Sequence, residues 1–545
     1  MSEANKPSRS LGRIATIVAI ATLVSKIFGL VRQQAMAAAF GVGPAIDAYN
    51  YAYVIPGFLL VLLGGINGPL HSAIVSTIAK RCSKEAAPLV ETITTLVGSV
   101  LLVVSILIFL FADPLINLVA PGLHETAAGL ETRAIAVQQL RIMSPMALLA
   151  GLIGIGFGTL NAGDMYWLPS ISPLFSSLIL VGSIGGLAIY LGENITNPAY
   201  ALIGGVVLAW GTLGGAFLQW LIQIPAMWRA GLGKLRLRFD FKQPGVSQVL
   251  KVMIPATFSS GMLQINVYTD LFFASYIPQA AAAMGYSGLL VQTPLGIISN
   301  VILVPFLPIF SRLSTPEHWP ELKGRIRQAL LLSAITMLPL GALMVALAVP
   351  IVRVVYERYA FDLNASRFVA SLLVAYGIGM FVYLGRDVLV RVFYALGDAE
   401  TPFRISVVNI FFNAVLDYVL IRALGAPGLV LATVGVNLIS MIALLVLLHQ
   451  RLHGLPLREW SLPFLQLVLA SLLTGGIAYG TYWGLEQLPD IGGFLQRLVE
   501  LGTASLASLG IFAILTTRMN LPEVDLLMNR INQKLGRSSQ ESADD

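Results

Sequence analysis

The sequence predicts an all-α polytopic membrane protein of fourteen transmembrane helices, and three observations predict it. Hydrophobic residues make up 56% of the 545-residue chain and charged residues only 11%, a balance too apolar for a large water-soluble enzyme. Mean hydropathy is +0.80. Apolar runs of the ~20 residues that cross a bilayer recur fourteen times, centred near residues 26, 62, 103, 147, 180, 214, 262, 300, 338, 381, 412, 438, 472 and 506.

The first run contains "LVSKIFGLVRQQ" (23–34), and from Ile14 to Phe40 its only ionisable side chains are Lys26 and Arg32. A basic start followed by an apolar stretch and "AMAAAF" imitates a secretory signal. Two cations inside the apolar core and the many later spans favour an uncleaved first helix. A cation at bilayer depth costs between ~3 and ~15 kcal/mol, less where it snorkels or lines a wet cavity. At 100° per residue, Lys26, Gly29 and Arg32 fan over roughly 120° with Gly29 at the centre, and Ser25 shares the Arg32 side. This wedge suits an anion site facing a cavity. Asp47, at the start of helix two, is near enough in sequence to neutralise or orient one cation. Two plain cations snorkelling at a helix end, or an internal salt bridge to Asp47, is the structural alternative.

Helix two carries Pro56, Gly64, Gly65, Asn67, Pro69 and His71, which predict a bent or broken segment of the kind tolerated where backbone lines a cavity or packs on protein. In helix ten, Arg386, Asp387 and Arg391 are candidates for cavity lining, with pairing of Arg386 and Asp387 to neighbouring helices the favoured reading. Asp270 in helix seven, Asn413 and Asp417 in helix eleven and Thr433 in helix twelve form a candidate cation site. Asn413 and Asp417 are four apart and share a helical face. Two carboxylates, an amide oxygen and a hydroxyl are hard-oxygen donors suited to Na⁺. Proton coupling through the carboxylates, or simple pairing of Asp417 with Arg404 or Arg422, are the other readings.

Nothing points to catalysis, a bound cofactor or a nucleotide: no G-x-x-x-x-G-K-[ST] occurs, and the five histidines are scattered. The +6 net charge fits basic cytoplasmic loops better than nucleic-acid binding. Cys82, the single cysteine, can close no intrachain disulfide and reads as a loop thiol.

Fourteen spans put both termini on one side. With that side cytoplasmic, the inner loops hold Lys6, Arg9 and Arg13, then Lys80, Arg81 and Lys84, then Lys234, Arg236, Arg238 and Lys242, then Arg312, Lys323, Arg325 and Arg327. The outer segments "GVGPAID" and "IPQAAAAMGYSG" hold no Lys or Arg, as the positive-inside rule requires. Arg353, Arg358 and Arg367 are the exceptions. The polar end "GRSSQESADD" reads as a disordered cytoplasmic tail.

A repeat organises the first twelve helices. "YVIPGFLLVLLGGINGPLHSAI" resembles "LVQTPLGIISNVILVPFLPIFS", aligning Pro56 with Pro294, and "LNAGDMYWLP" matches "ALGDAETP", aligning Asp164 with Asp398. The offsets are 238 and 234 residues. An even number of intervening spans makes the copies parallel. The expected division is an N-terminal lobe of helices 1–6 (residues 1–230), a C-terminal lobe of helices 7–12 (231–455), helices 13–14 (456–520) and a tail (521–545). Such lobes commonly rock about a midplane cavity.

"SKIFGLVRQQAMAAAFGVGPAIDAYNYAYVIP", "QQLRIMSPMALLAGLIGIGFGTLNA", "QINVYTDLFFAS" and "RVFYALGDAETPFR" together resemble the MurJ (MviN) family of lipid II flippases, within the wider group of multidrug, oligosaccharidyl-lipid and polysaccharide exporters. The resemblance spans essentially the whole chain. It implies a bacterial inner-membrane protein, monomeric, that carries an undecaprenyl-pyrophosphate-linked cell-wall precursor from the cytoplasmic to the outer leaflet. It also implies that Lys26 and Arg32 line a cationic headgroup cavity, with Asp47 matching an acidic residue of helix two. The chain departs from the family pattern at Gln33, where an acidic residue is usual, and at Leu60 and Leu289, where arginines are expected. A flippase for another lipid-linked oligosaccharide and a cation-coupled drug exporter are the competing functions. Intramembrane cations disfavour the second, since cationic drugs are held by carboxylates and aromatic faces.

Overall fold

The computed structural model describes residues 11–65, 68–78, 81, 83–234, 236–262, 264–487, 493–519 and 521–524. Lys6, Arg9, Asn67, Lys80, Cys82 and the tail from residue 525 lie outside the described residues. Every regular element among those described is helical.

By its internal contacts the chain forms two compact units. The first runs to Ala282 and takes in Arg358–Asp362; the second comprises Ala283–Glu357 and the chain from Leu363. The first contains α1 (Leu11–Phe40), α2 (Pro44–Gly64), α3 (Pro69–Ile78), α4 (Ser83–Leu110), α5 (Ala112–Val119), α6 (Ala127–Met143), α7 (Met146–Ala162), α8 (Trp167–Leu191), α9 (Ala201–Leu221), α10 (Gln223–Arg229), α11 (Pro244–Met262) and α12 (Ile265–Ala274). After α13 (Ala280–Arg312), which begins at the junction, the second holds α14 (Trp319–Ala346), α15 (Ala348–Tyr356), α16 (Leu363–Ala395), α17 (Glu400–Leu424), α18 (Ala426–Arg451), α19 (Leu457–Glu486) and α20 (Phe494–Arg518). The contact boundary falls later than residue 230 because α11 packs on α3 and α12 packs on α5.

Among the described residues, eleven helical segments are long and apolar enough to cross a membrane, and α6 with α7 makes a twelfth if that pair, bent by 43°, is one span. Pro145 at the break cannot donate to the helical ladder, which accounts for the bend. Helix two breaks as its sequence predicts. α2 ends at Gly64, Gly65 takes an extended conformation (φ −74°, ψ 143°), and α3 restarts at Pro69. At this break the backbones of α2 and α7 nearly touch: a Cβ on Gly154 would lie 1.9 Å from the Leu63 carbonyl oxygen. Only glycine fits there. Around it, Leu62, Leu63, Leu70 and Ile74 pack with Leu89, Ile93, Ala150 and Ile155 into a buried apolar core.

Helix ends in the two units match in conformation. Before α5 and α15, Phe111 (φ −99°, ψ 19°) and Leu347 (φ −112°, ψ 23°) adopt the same cap. After α8 and α17, Gly192 (φ 56°, ψ −131°) and Gly425 (φ 65°, ψ −141°) do so as well. After α7, Asp164 takes φ 59° and Met165 N–H donates to the Leu160 carbonyl; after α16, Gly397 takes φ 75° and Asp398 N–H donates to Phe393. These are the left-handed residue and 6→1 bond of a Schellman ending. The turn therefore pairs Asp164 with Gly397, one residue out of register with the Asp164–Asp398 match read from sequence, because backbone handedness and not the carboxylate defines the equivalent position.

Candidate headgroup and cation sites

On α1, Lys26 is exposed, and it makes no ion pair or hydrogen bond among the described residues. A Cβ on Gly29 would have nothing within 4 Å, so the centre of the wedge faces open space. Arg32 and Ser25 are half-buried. Arg32 lies close enough to Tyr49 and Tyr53 of α2 to act on both electrostatically. Its Nε is buried and has no hydrogen-bond partner among the described residues. A guanidinium presents five donors, and one buried without an acceptor carries a desolvation penalty that a phosphate oxygen would relieve.

The tyrosines were not singled out in the sequence. Their rings stack with centroids 5.3 Å apart at 15°, and the Tyr49 hydroxyl meets the Thr212 hydroxyl of α9 at 3.0 Å. The spacing of four that puts both on one face of α2 was the available signal.

Asp47 departs from its expected role. It makes no ion pair with Lys26 or Arg32; only 3% exposed, its carboxylate accepts the backbone N–H groups of Ala282 (2.9 Å) and Gln279 (3.2 Å). Those groups sit at the start of α13, where backbone donors lack intrahelical acceptors and the dipole favours an anion. A helix-end anchor thus occupies the position read as a headgroup residue.

Of the cation set, Asp270 lies half-buried on α12 in the first unit, whereas Asn413, Asp417 and Thr433 belong to the second. Asn413 and Asp417 are fully buried on α17, and Asn413 Nδ2 donates to Asp417 Oδ2 at 2.7 Å. Thr433 is on α18, which packs along α17, and its hydroxyl donates to the Leu429 carbonyl at 3.3 Å. An asparagine that donates through its amide nitrogen keeps its carbonyl oxygen as the coordinating atom, so these residues suit a hard cation. Elsewhere in the second unit, Arg386 bonds Ser440 of α18 (3.1 Å) and Ser406 of α17 (3.3 Å) and lies 3.6 Å from Asp387. It pairs with neighbouring helices, as its sequence setting suggests.

The family profile described as "Lipid II flippase MurJ" matches residues 36–488. A "Probable lipid II flippase MurJ" of Synechocystis is 56% identical over 543 residues, 98% of this chain and 100% of that protein. The chain belongs to the MurJ lipid II flippase family. A "Lipid II flippase MurJ" of Burkholderia cenocepacia is 27% identical over 471 residues, 84% of this chain and 87% of that protein. Among solved structures, a MurJ described as inward closed superposes with a TM-score of 0.74 at 22% identity, covering 92% of this chain and 98% of that one. An inward-facing multidrug MATE transporter gives 0.58 at 16% identity, covering 81% and 98%. At those identities the structural likeness concerns the fold. The MurJ profile begins after Lys26 and Arg32 and contains Asp47, Asp270, Asn413, Asp417 and Thr433.

Proposed function

We propose that this protein is a lipid II flippase of the bacterial inner membrane, moving undecaprenyl-pyrophosphate-linked headgroups from the cytoplasmic to the outer leaflet by alternating access. The observation that carries this reading is the 56% identity to a MurJ relative along 98% of the chain. In it, Lys26 and Arg32 hold the anionic headgroup over the open backbone of Gly29, with Ser25 beside Arg32 and Asp47 fixing the nearby helix ends.

The finer architecture in this reading is fourteen spans, the twelve above plus α1 and the α11–α12 segment. The spans form two parallel six-helix lobes with the boundaries expected from sequence, followed by two extra helices. The matched caps at Phe111 and Leu347, and at Gly192 and Gly425, support the repeat. Both termini are cytoplasmic, as the basic loops favour, and the unit is a monomer. Asn413, Asp417 and Thr433 serve a coupling ion, Na⁺ in the first instance and H⁺ in the second.

Depletion in living cells with a reporter of lipid II in the outer leaflet tests the assignment. Outer-leaflet lipid II should fall as the protein is depleted; an unchanged level with other flippases removed would sink it. For the ion, Na⁺ should raise thermal stability and transport relative to choline, and Asp417→Asn should abolish that difference. Identical behaviour of the native protein in Na⁺, K⁺ and choline would remove sodium, and indifference to pH as well would remove ion coupling.

A further inference from the structure

The second unit contains a cavity of about 440 Å³ between α14, α15, α16 and α19, lined among others by Arg353, Arg367, Glu486, Tyr479, Tyr482 and Trp483. Its size is that of a small-molecule site. Arg353 of α15 and Arg367 of α16 are two of the three arginines that break the positive-inside pattern, so this end of the second unit carries cations without help from that rule.

The two arginines differ in what satisfies them. Arg353 Nε donates to Glu357 at 2.9 Å, and Glu357 also accepts from Ser366 (3.0 Å) and from Arg497 of α20 (2.9 Å). That carboxylate ties α15, α16 and α20 together and fixes Arg353 at the cavity wall. Arg367 is exposed and makes no ion pair or hydrogen bond among the described residues. Beside it, Tyr479 and Trp483 are 61% and 57% exposed, a placement typical of aromatic rings at the level of lipid headgroups.

The first unit's counterpart lacks these features. α5 and α15 share a cap and a proline at their third residue, and Asn117 stands where α15 has Arg353. The α5 surface satisfies its own charges: Arg133 bonds Asp113 and Asn117, each at 2.6 Å. α19, which supplies the aromatic wall, follows the twelfth span and has no partner in the repeat. The two matched places therefore carry different chemistry.

We propose that this cavity binds the headgroup of an anionic, hydroxyl-bearing phospholipid, with Arg367 and Arg353 on the phosphate, Glu486 on the hydroxyls, and Trp483 and Tyr479 at the glycerol–acyl junction. Guanidinium donors match phosphate oxygens bidentately. A carboxylate among them repels a bare anion but accepts from hydroxyl groups, which selects a polyol headgroup over free phosphate. In the proposed orientation the site opens to the outer leaflet.

The test is native mass spectrometry of the detergent-solubilised full chain titrated with phosphatidylglycerol or phosphatidylcholine, with inorganic phosphate and glycerol phosphate as soluble competitors. The native protein should retain one phosphatidylglycerol in preference to phosphatidylcholine. Arg367→Gln should weaken retention about tenfold, the scale of one lost charge-assisted hydrogen bond, and Trp483→Ala should weaken it separately. A Lys26→Gln/Arg32→Gln variant should keep this lipid. Native-like retention in both cavity variants would overturn the proposal. So would loss of the lipid in the α1 variant, which would locate it elsewhere, or its displacement by millimolar inorganic phosphate, which would make the cavity a free-anion site.

Discussion

Arg32 and Lys26 sit on one helix, yet their surroundings ask different things of them. Lys26 is exposed, while Arg32 is half-buried beside Tyr49 and Tyr53 with its Nε lacking a partner. Replacing either by Gln should lower transport without affecting insertion. We expect the larger loss at Arg32, about 10- to 100-fold, corresponding to ~1.5–3 kcal/mol for a hydrogen bond to a charged group. Arg32→Lys should fall between, since an ammonium keeps the charge but loses the planar fork. Transport assayed in reconstituted vesicles at matched protein content decides this, and full activity of the double Gln variant would refute the headgroup role. The isolation of these cations was legible in the sequence. The role of Asp47 was not, because its acceptors are bound by backbone groups 232 and 235 residues away, and nothing local to "GPAIDAYN" marks that contact.

At the scale of elements, turn chemistry predicts more than composition does. Asp398 sits between α16 and α17, where it accepts from the Thr401 backbone N–H (2.9 Å), the Thr401 hydroxyl (2.8 Å) and the Arg451 guanidinium at the end of α18. Partial burial pushes its carboxyl up, but these donors outweigh that and hold it below the usual carboxylate range. A depressed folded-state value means the junction is supported at neutral pH and weakens only as pH falls below the ordinary carboxylate range. Asp398→Asn should loosen the α16–α17 turn at pH 7, read as faster amide exchange of 399–403. The difference from native should shrink progressively as pH falls below the ordinary carboxylate range, and a gap independent of pH throughout acid titration would rule out the ionised cap. Sequence reading found this aspartate and the break in helix two, where Pro and Gly act locally. Matching letters align Asp164 with Asp398, whereas the left-handed turn residues are Asp164 and Gly397, one position apart, because backbone handedness leaves no fixed letter in the sequence.

For the whole molecule, the proposed transport moves anionic charge outward across an inside-negative membrane, which releases ~2.3 kcal/mol per net charge per 100 mV. Proteoliposomes with the cytoplasmic face negative should therefore export faster than depolarised ones, about 50-fold at most per net charge at 100 mV. Inward movement of a cation at Asp417 would add to the net charge moved and enlarge the gain, whereas a cation carried outward with the headgroup would diminish it. Equal rates with and without an imposed potential, at several Na⁺ concentrations, would exclude an electrogenic cycle.

The matched caps at Phe111 and Leu347, at Asp164 and Gly397, and at Gly192 and Gly425 bear on descent. A chain that doubles a segment whose turns are set by a few backbone conformations inherits a solved folding problem twice. Mutation is then free to act on side chains, and Asn117 opposite Arg353 is such a site. On the proposed repeat, asymmetry of chemistry needs no new fold, only a handful of substitutions on a shared backbone and helices outside the repeat for them to face.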